Sequence, residues 1–325
     1  MRNGSTLRIE WESYGEFLIY VLFGIFTIIT SAFVISVIVV NKKLRLKEFL
    51  YIIGLAVADL LIGFACVVSG LRRIALASMD QLSSNVTSWS CVGEIHTPIW
   101  FYGTQCAILM MFVIACDRLM AACTNNGLMY NRFRQKYSWL VAATVYFYSF
   151  VSVGGAILSA FFDKSSRDYS MICYPAFSVS IGYFLYHSIL QICGSTFSVA
   201  FYGLTAFVLT LKQRKLQPQQ QQQQQQPQNT GSTGSEQLRC CKPNKTKLSK
   251  SVPIIVCLSL MLVALPAATL GALNWYGYVE TELFRVVTSW LNLLYPINAS
   301  LHVLVYALTY RKFREVVPSR STRRS

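Results

Sequence analysis

Seven apolar stretches divide this chain: Phe17–Val40, Phe49–Gly70, Pro98–Ala122, Tyr137–Phe162, Ile181–Leu211, Val252–Trp275 and Leu283–Tyr310. Each exceeds the roughly 20 residues that a helix needs to cross the hydrocarbon of a bilayer. Lipid offers nothing to a free amide, so each stretch must close its own backbone hydrogen bonds as a helix. The fourth and seventh are rich in β-branched and aromatic residues, yet they are far longer than buried strands. The expected fold is an all-α membrane protein, a seven-transmembrane helix bundle. Composition agrees, with 54% of residues hydrophobic and only 13% charged, about half the ~25% charge of soluble domains. That excludes a soluble enzyme, a secreted disulfide scaffold and a disordered chain. The first stretch has no basic run before it and no small-residue cleavage site after it, so it is expected to stay as a helix.

The net charge of +15 would fit nucleic acid only if the basic residues shared one exposed face. Instead they lie in short clusters between the stretches, so no nucleic-acid partner is expected. Twenty-two of the 29 Lys and Arg fall on one side if the N-terminus is outside. They include Lys42, Lys43, Arg132, Arg134, the third-loop lysines and the tail arginines. Seven remain on the other side, among them Arg72 and Arg73, together with nine of the 14 carboxylates. Basic residues mark cytoplasmic loops, so the chain is expected to lie N-out and C-in. Residues 1–16 then form an extracellular N-terminus, 17–310 the membrane domain and 311–325 the cytoplasmic end.

The third inner loop, 212–251, contains the unbroken run Gln219–Gln226 followed by Gly and Ser. Such polar low-complexity sequence cannot bury a core and is expected to be disordered. Past the last span, Tyr310–Val317 reads as a short basic amphipathic helix on the lipid surface, stopped by Pro318.

Of ten cysteines, only Cys91 and Cys173 fall in the outer segments. Two thiols on the oxidising side favour one disulfide between the start of the third span and the second outer loop. Cys240 and Cys241 could carry palmitate or remain free thiols. Asn-x-Ser/Thr sequons occur at Asn3, Asn85, Asn244 and Asn298; only Asn3 and Asn85 lie on the side where glycans are added.

Ionisable groups inside a membrane are costly and tend to be functional. Asp59 is the one carboxylate deep in a span, and Asn298 and His302, four apart on one face of the seventh, are its candidate partners. Together they form either an ion- or water-binding switch or a polar contact between helices. Asp117 and Arg118 stand at the inner end of the third span. No Lys or Arg is expected inside the bundle. The three histidines, His96, His187 and His302, lack metal-ligand spacing, and no catalytic motif is present. No metal, no cofactor and no enzymatic activity are expected.

Ala58-Asp59-Leu60-Leu61, Asp117-Arg118, the Cys91/Cys173 pair and Leu265-Pro266 resemble the rhodopsin-like G-protein-coupled receptors. Gly70-Leu71-Arg72-Arg73 and Cys116-Asp117-Arg118-Leu119 with Tyr130 are more narrowly similar to the nematode serpentine chemoreceptors of class sx. The resemblance implies a plasma-membrane receptor that binds an extracellular ligand and activates a heterotrimeric G protein. It gives Asp59 the sodium-site carboxylate position and makes Arg118 the arginine that engages the G protein. Tyr202 and Tyr306 become its rearranging partners, and Phe313 the seat of the surface helix. The pattern departs at Ser31, at Ala264 and at His302-Val303-Leu304-Val305-Tyr306, and helix five lacks a central proline. Trp100 stands where amine receptors carry Asp, and helix seven has no Lys, which argues against an amine or retinal ligand. The register puts Trp100, Phe101, Thr104, Asn292, Ala267 and Ala268 around a pocket suited to a neutral or weakly polar small molecule. A cationic peptide would suit the acidic outer face. A neuropeptide receptor and a polytopic transporter or channel are the alternatives.

Overall fold

The computed structural model describes residues 4–41, 49–82, 85–124, 127–162, 169–175, 178–224, 258, 260–276 and 282–309. Asn3, the third loop from 225 onward and the tail from 310, with the expected surface helix and Phe313, lie outside the described residues. So do the side chains of Asn85, His302 and Tyr306.

In chain order the elements are α1 (Gly4–Val40), α2 (Leu50–Ser78), β1 (Asn85–Val86), α3 (Ser88–Gly93), α4 (His96–Cys123), α5 (Gly127–Phe162), β2 (Tyr169–Ser170) and α6 (Ile181–Gln224). A π-helical turn, Leu260–Ala264, then leads into α7 (Leu265–Trp275), and α8 covers Glu282–Thr309. Five helical segments are long and apolar enough to cross a membrane: Tyr14–Val40, Leu50–Ser78, His96–Cys123, Lys136–Phe162 and Ile181–Lys212. Met261–Leu273 is a shorter apolar helix. The 28 residues of α8 also suffice in length. All seven expected spans are therefore represented by helix.

Several helices outrun their apolar cores. Polar residues at a span end can continue the helix into the headgroup region, because nothing in Leu71–Ser78 or Lys212–Lys215 breaks it. α1 starts at Gly4 rather than Phe17, α5 at Gly127 rather than Tyr137, and α6 runs to Gln224, past Leu211. The first glutamines thus belong to a helix instead of a disordered loop. α2 runs about two turns past Gly70, which carries Arg73 into the bundle, and the expectation of no internal Lys or Arg is overturned.

α4 packs against α2, α5 and α6, and α2 packs against α1 and α8. One large apolar cluster, including Ile62, Phe101, Phe184, Leu270 and Leu293, joins the helices at one end. A second, around Leu55, Met110 and Ile114, lies between α2, α4 and α5. The outer surface carries exposed Ile29, Phe33, Phe147, Phe150 and Phe207, apolar groups that a water-soluble protein would avoid collecting. Helices in lipid gain by close van der Waals approach at small residues. A Cβ on Gly24 would come within 2.7 Å of the Gly63 carbonyl oxygen, and one on Gly70 within 2.9 Å of the Phe17 oxygen.

Pro266 cannot donate to the carbonyl of Leu262, and the widened turn Leu260–Ala264 just before it absorbs that break. The π-helical turn and the proline thus stand side by side in the sixth span, where Ala264 lies buried.

At one end, β1 and β2 pair antiparallel, with Asn85 opposite Ser170 and Val86 opposite Tyr169. The Thr87 hydroxyl caps α3 by accepting from the Ser90 amide. A Cys91–Cys173 disulfide, with Cα atoms 5.2 Å apart, fastens the second connecting segment to α3. Arg72 adds two bonds there, from Nη1 to the Met171 oxygen at 2.6 Å and from Nη2 to Glu94 Oε1 at 2.9 Å.

Candidate ligand site and inner switch

Two small cavities open beneath the disulfide cap. The first, about 20 Å³, is lined by Tyr20, Cys66, Ser69, Arg73, His96 and Pro175 among others. The second, about 10 Å³, lies against His187, Gln191, Ala267, Leu270 and Tyr295. Trp100 and Asn292 line both. A water needs on the order of 10–15 Å³, so each space suits about one water. A ligand reaching both must shift the Trp100 indole.

Helix periodicity explains the first wall. Cys66, Ser69 and Arg73 are spaced three and four apart along α2, so they share one face. Gly70, on the neighbouring stripe, lets α1 approach and brings Phe17 and Tyr20 beside Arg73. Cys173 adopts a left-handed backbone with φ of 51°, and the preceding Ile172 oxygen accepts from Arg73 Nε at 3.4 Å. On the α8 side, Pro296 lacks the N–H that would bond the Asn292 carbonyl four residues earlier, a gap in the ladder at the cavity wall.

Behind the second cavity lies a buried polar network. The Gln191 amide nitrogen is 2.8 Å from His187 Nε2, and Tyr295 donates its hydroxyl to Gln191 Oε1. With the Gln191 oxygen toward Tyr295, its nitrogen faces the ring and His187 accepts at Nε2. A neutral imidazole then carries its hydrogen on Nδ1. Gln105, whose nitrogen is 3.2 Å from Nδ1 and whose Oε1 has no other partner, satisfies the ring when its amide is turned to present oxygen. Phe101 stands edge-on to His187 at 4.9 Å, and Trp100 packs at 5.7 Å from it.

Four of the expected pocket residues therefore divide. Trp100 and Asn292 line the cavities, as does Ala267. Phe101 and Thr104 are buried behind them, the Thr104 hydroxyl donating to the Trp100 oxygen at 2.8 Å. Ala268 is exposed on the outer surface instead, because it follows Ala267 by a 100° step around the helix. Sequence reasoning missed Arg73, Tyr20, His187 and Gln191.

In the middle of the bundle Asp59 and Asn298 are both buried, at 1% and 5% exposure, on the packed pair α2 and α8. Buried Ser31 faces the interior from α1. These residues offer oxygen donors, the chemistry of a hard cation. Among the described residues, no three His, Cys, Asp or Glu side chains converge as a metal site. Thr27, one turn before Ser31, bonds the Ser300 hydroxyl at 3.0 Å and ties α1 to α8.

At the far end Asp117 is buried and Arg118 half-buried. Tyr130, in the first turn of α5, donates to Asp117 Oδ1 at 2.5 Å. Tyr202, on α6, packs against the Leu55–Met110 cluster, and Lys212 Nζ donates to the Ala122 oxygen at 2.5 Å. The backbone of Tyr306 lies on α8 near its end. One end of the bundle thus holds a capped polar cavity and the other an acid–arginine pair at a helix junction.

The profile of the family described as 7 transmembrane receptor (rhodopsin family) matches residues 31–306. Curated relatives include the adenosine receptor A3 of Ovis aries and that of Bos taurus. Each is 23% identical over 323 residues, covering 96% of this chain and 90% of the relative.

Proposed function

The chain belongs to the rhodopsin family of seven-transmembrane receptors, and on that premise we propose that it is a chemosensory receptor for an extracellular small molecule. Family membership makes it a multi-pass plasma-membrane signalling protein that couples to a G protein, and not an enzyme. The proposal adds the orientation, the ligand class and the route between them. The N-terminus faces outside, the cavities under the Cys91–Cys173 cap receive the ligand, and Asn3 and Asn85 are glycosylation sites. The resemblance of Gly70-Leu71-Arg72-Arg73 to the class sx chemoreceptors supports a sensory role.

The carrying observation is the pair of cavities joined at Trp100 and Asn292, on helices that continue to the Asp117-Arg118 end. Both are too small for a ligand as they stand. Binding therefore selects a conformation in which Trp100 and the sixth span, with its π-helical turn, move, and it favours that conformation by its differential affinity. At the inner end that conformation frees Arg118 for the heterotrimeric G protein, with Tyr202 and Tyr306 moving around it and Asp59, Asn298 and His302 repacking between.

The test is a G-protein activation screen in a heterologous cell with odorants, metabolites, peptides and adenosine, the last because the relatives are named for it. Arg118→Ala should reach the surface and bind any agonist found, yet lose G-protein activation. An Arg118→Ala receptor that signals like wild type overturns the mechanism. Agonism by peptides alone would favour the neuropeptide reading, and solute flux without G-protein activation the transporter reading.

A further inference from the structure

The first cavity holds a charge with no ion-pair partner among the described residues. Arg73 is only 2% exposed. Its neighbour Arg72 is neutralised by Glu94, whereas Arg73 has no carboxylate within ion-pair distance among the described residues. Its Nε reaches the Ile172 oxygen at a long 3.4 Å, and its Nη1 has no hydrogen-bonding partner. The guanidinium sits among rings instead, 4.5 Å from the centre of Tyr174, 5.0 Å from Tyr20 and 5.9 Å from Phe17. Ring faces attract a cation without cancelling its charge. A buried charge lacking its counter-charge is costly.

The hydroxyls around it are already engaged. Tyr20 donates to the Ser289 oxygen at 2.7 Å, the Tyr174 hydroxyl is 3.1 Å from Ser289 Oγ, and Ser289 in turn donates to Glu16. Glu16, the carboxylate on the facing helix, accepts from Ser289 and makes no ion pair with Arg73. His96 lines the same cavity at 3% exposure; it lies against the Cys173 backbone, and neither ring nitrogen makes a hydrogen bond of normal geometry. A guanidinium with an unused edge is the shape that meets a carboxylate in two parallel bonds.

We propose that this cavity binds the carboxylate of a small organic acid, with Arg73 as its anchor, His96 as a second donor and Trp100 under its apolar body. The body extends past Trp100 toward Leu270 and Phe184, which line the second cavity. The ligand class is thereby an anion, in place of the neutral molecule that the register suggested or the cationic peptide that would suit the acidic outer face. That the acid acts as an agonist rests on the chemosensory reading; that it binds does not.

Full-length receptor in lipid nanodiscs is heated with phenylacetate, hexanoate or octanoate, and with the matching amides, at up to millimolar concentration. At least one acid should raise the unfolding temperature in a saturable way while its amide does not. Arg73→Gln should weaken that acid about 10- to 100-fold, the worth of a charge-assisted hydrogen bond. Arg73→Lys, which keeps the charge and loses the fork, should fall between. If Arg73→Gln does not fold, the acid–amide contrast in wild type and the Arg73→Lys affinity decide. The proposal is overturned if acid and amide stabilise equally, if Arg73→Gln binds the acid like wild type, or if no acid stabilises the wild type. Nucleotide exchange on a G protein is read in parallel. Acid binding without exchange would sink the chemosensory reading and leave the carboxylate site standing. Exchange driven only by neutral compounds would do the reverse.

Discussion

The hydroxyl of Tyr130 donates to Oδ1 of Asp117 across 2.5 Å, joining the first turn of α5 to the last turns of α4. Asp117, whose sequence neighbour is Arg118, is thereby tied to the start of α5 through Tyr130. A hydrogen bond to an ionised group contributes about 1.5–3 kcal/mol, enough to bias a two-state receptor. Tyr130→Phe is expected to raise basal G-protein activation, by up to about tenfold in the active-to-inactive ratio, at equal surface expression. Unchanged or lower basal activity would show that the bond does not hold the resting state.

The disulfide yields a sharper pattern than a single loss. Cys91→Ser and Cys173→Ser should each lower stability by about 2–5 kcal/mol, read as melting temperature or surface delivery. The double substitution should be no worse than either alone. Additive losses would mean that the two sulfurs act separately.

Gly70 tests the packing that shapes the first cavity. A methyl group there meets Val21 Cγ2 at 2.7 Å and the Phe17 oxygen at 2.9 Å. Backbone cannot yield as a side-chain tip can, so Gly70→Ala should cost about 1–3 kcal/mol. Gly154→Ala, with nothing within 4 Å of its Cβ, is the control and should be near neutral. Equal melting temperatures for the two variants would contradict the close approach.

The His187 network separates removing one partner from stranding two. Tyr295→Phe deletes a single donor and should cost about 1 kcal/mol. Gln191→Leu strands both His187 Nε2 and the Tyr295 hydroxyl in the interior and should cost at least twice that. A Gln191→Leu receptor as stable as Tyr295→Phe would argue that water replaces the amide.

The spans, the cap cysteines and the buried Asp59 were legible because each follows from a single strong constraint: lipid, oxidation or desolvation. Helix ends were not, since the apolar signal stops at the headgroups while the backbone continues. Arg73 was read as loop for that reason. The spacing of Cys66, Ser69 and Arg73, with no breaker as far as Ser78, was the available sign that α2 went on. Nothing comparable existed for His187 and Gln105, which lie 82 residues apart on different helices. Their meeting depends on how α4 and α6 rotate against each other, which one sequence does not encode in any local pattern. Register grouped Trp100, Asn292 and Ala268; the first two stand at the cavity walls, and one residue of register turns Ala268 outward.

Trp100 forms part of the wall of both cavities. A partition shared by two rooms makes occupancy of either sensitive to the other. Each side must widen to admit anything larger than a water, but a short molecule needs only one side widened, and only a longer one must turn the indole between them. The receptor would then measure length before it measures chemistry, with short congeners acting as silent competitors and the threshold set by a single swinging ring.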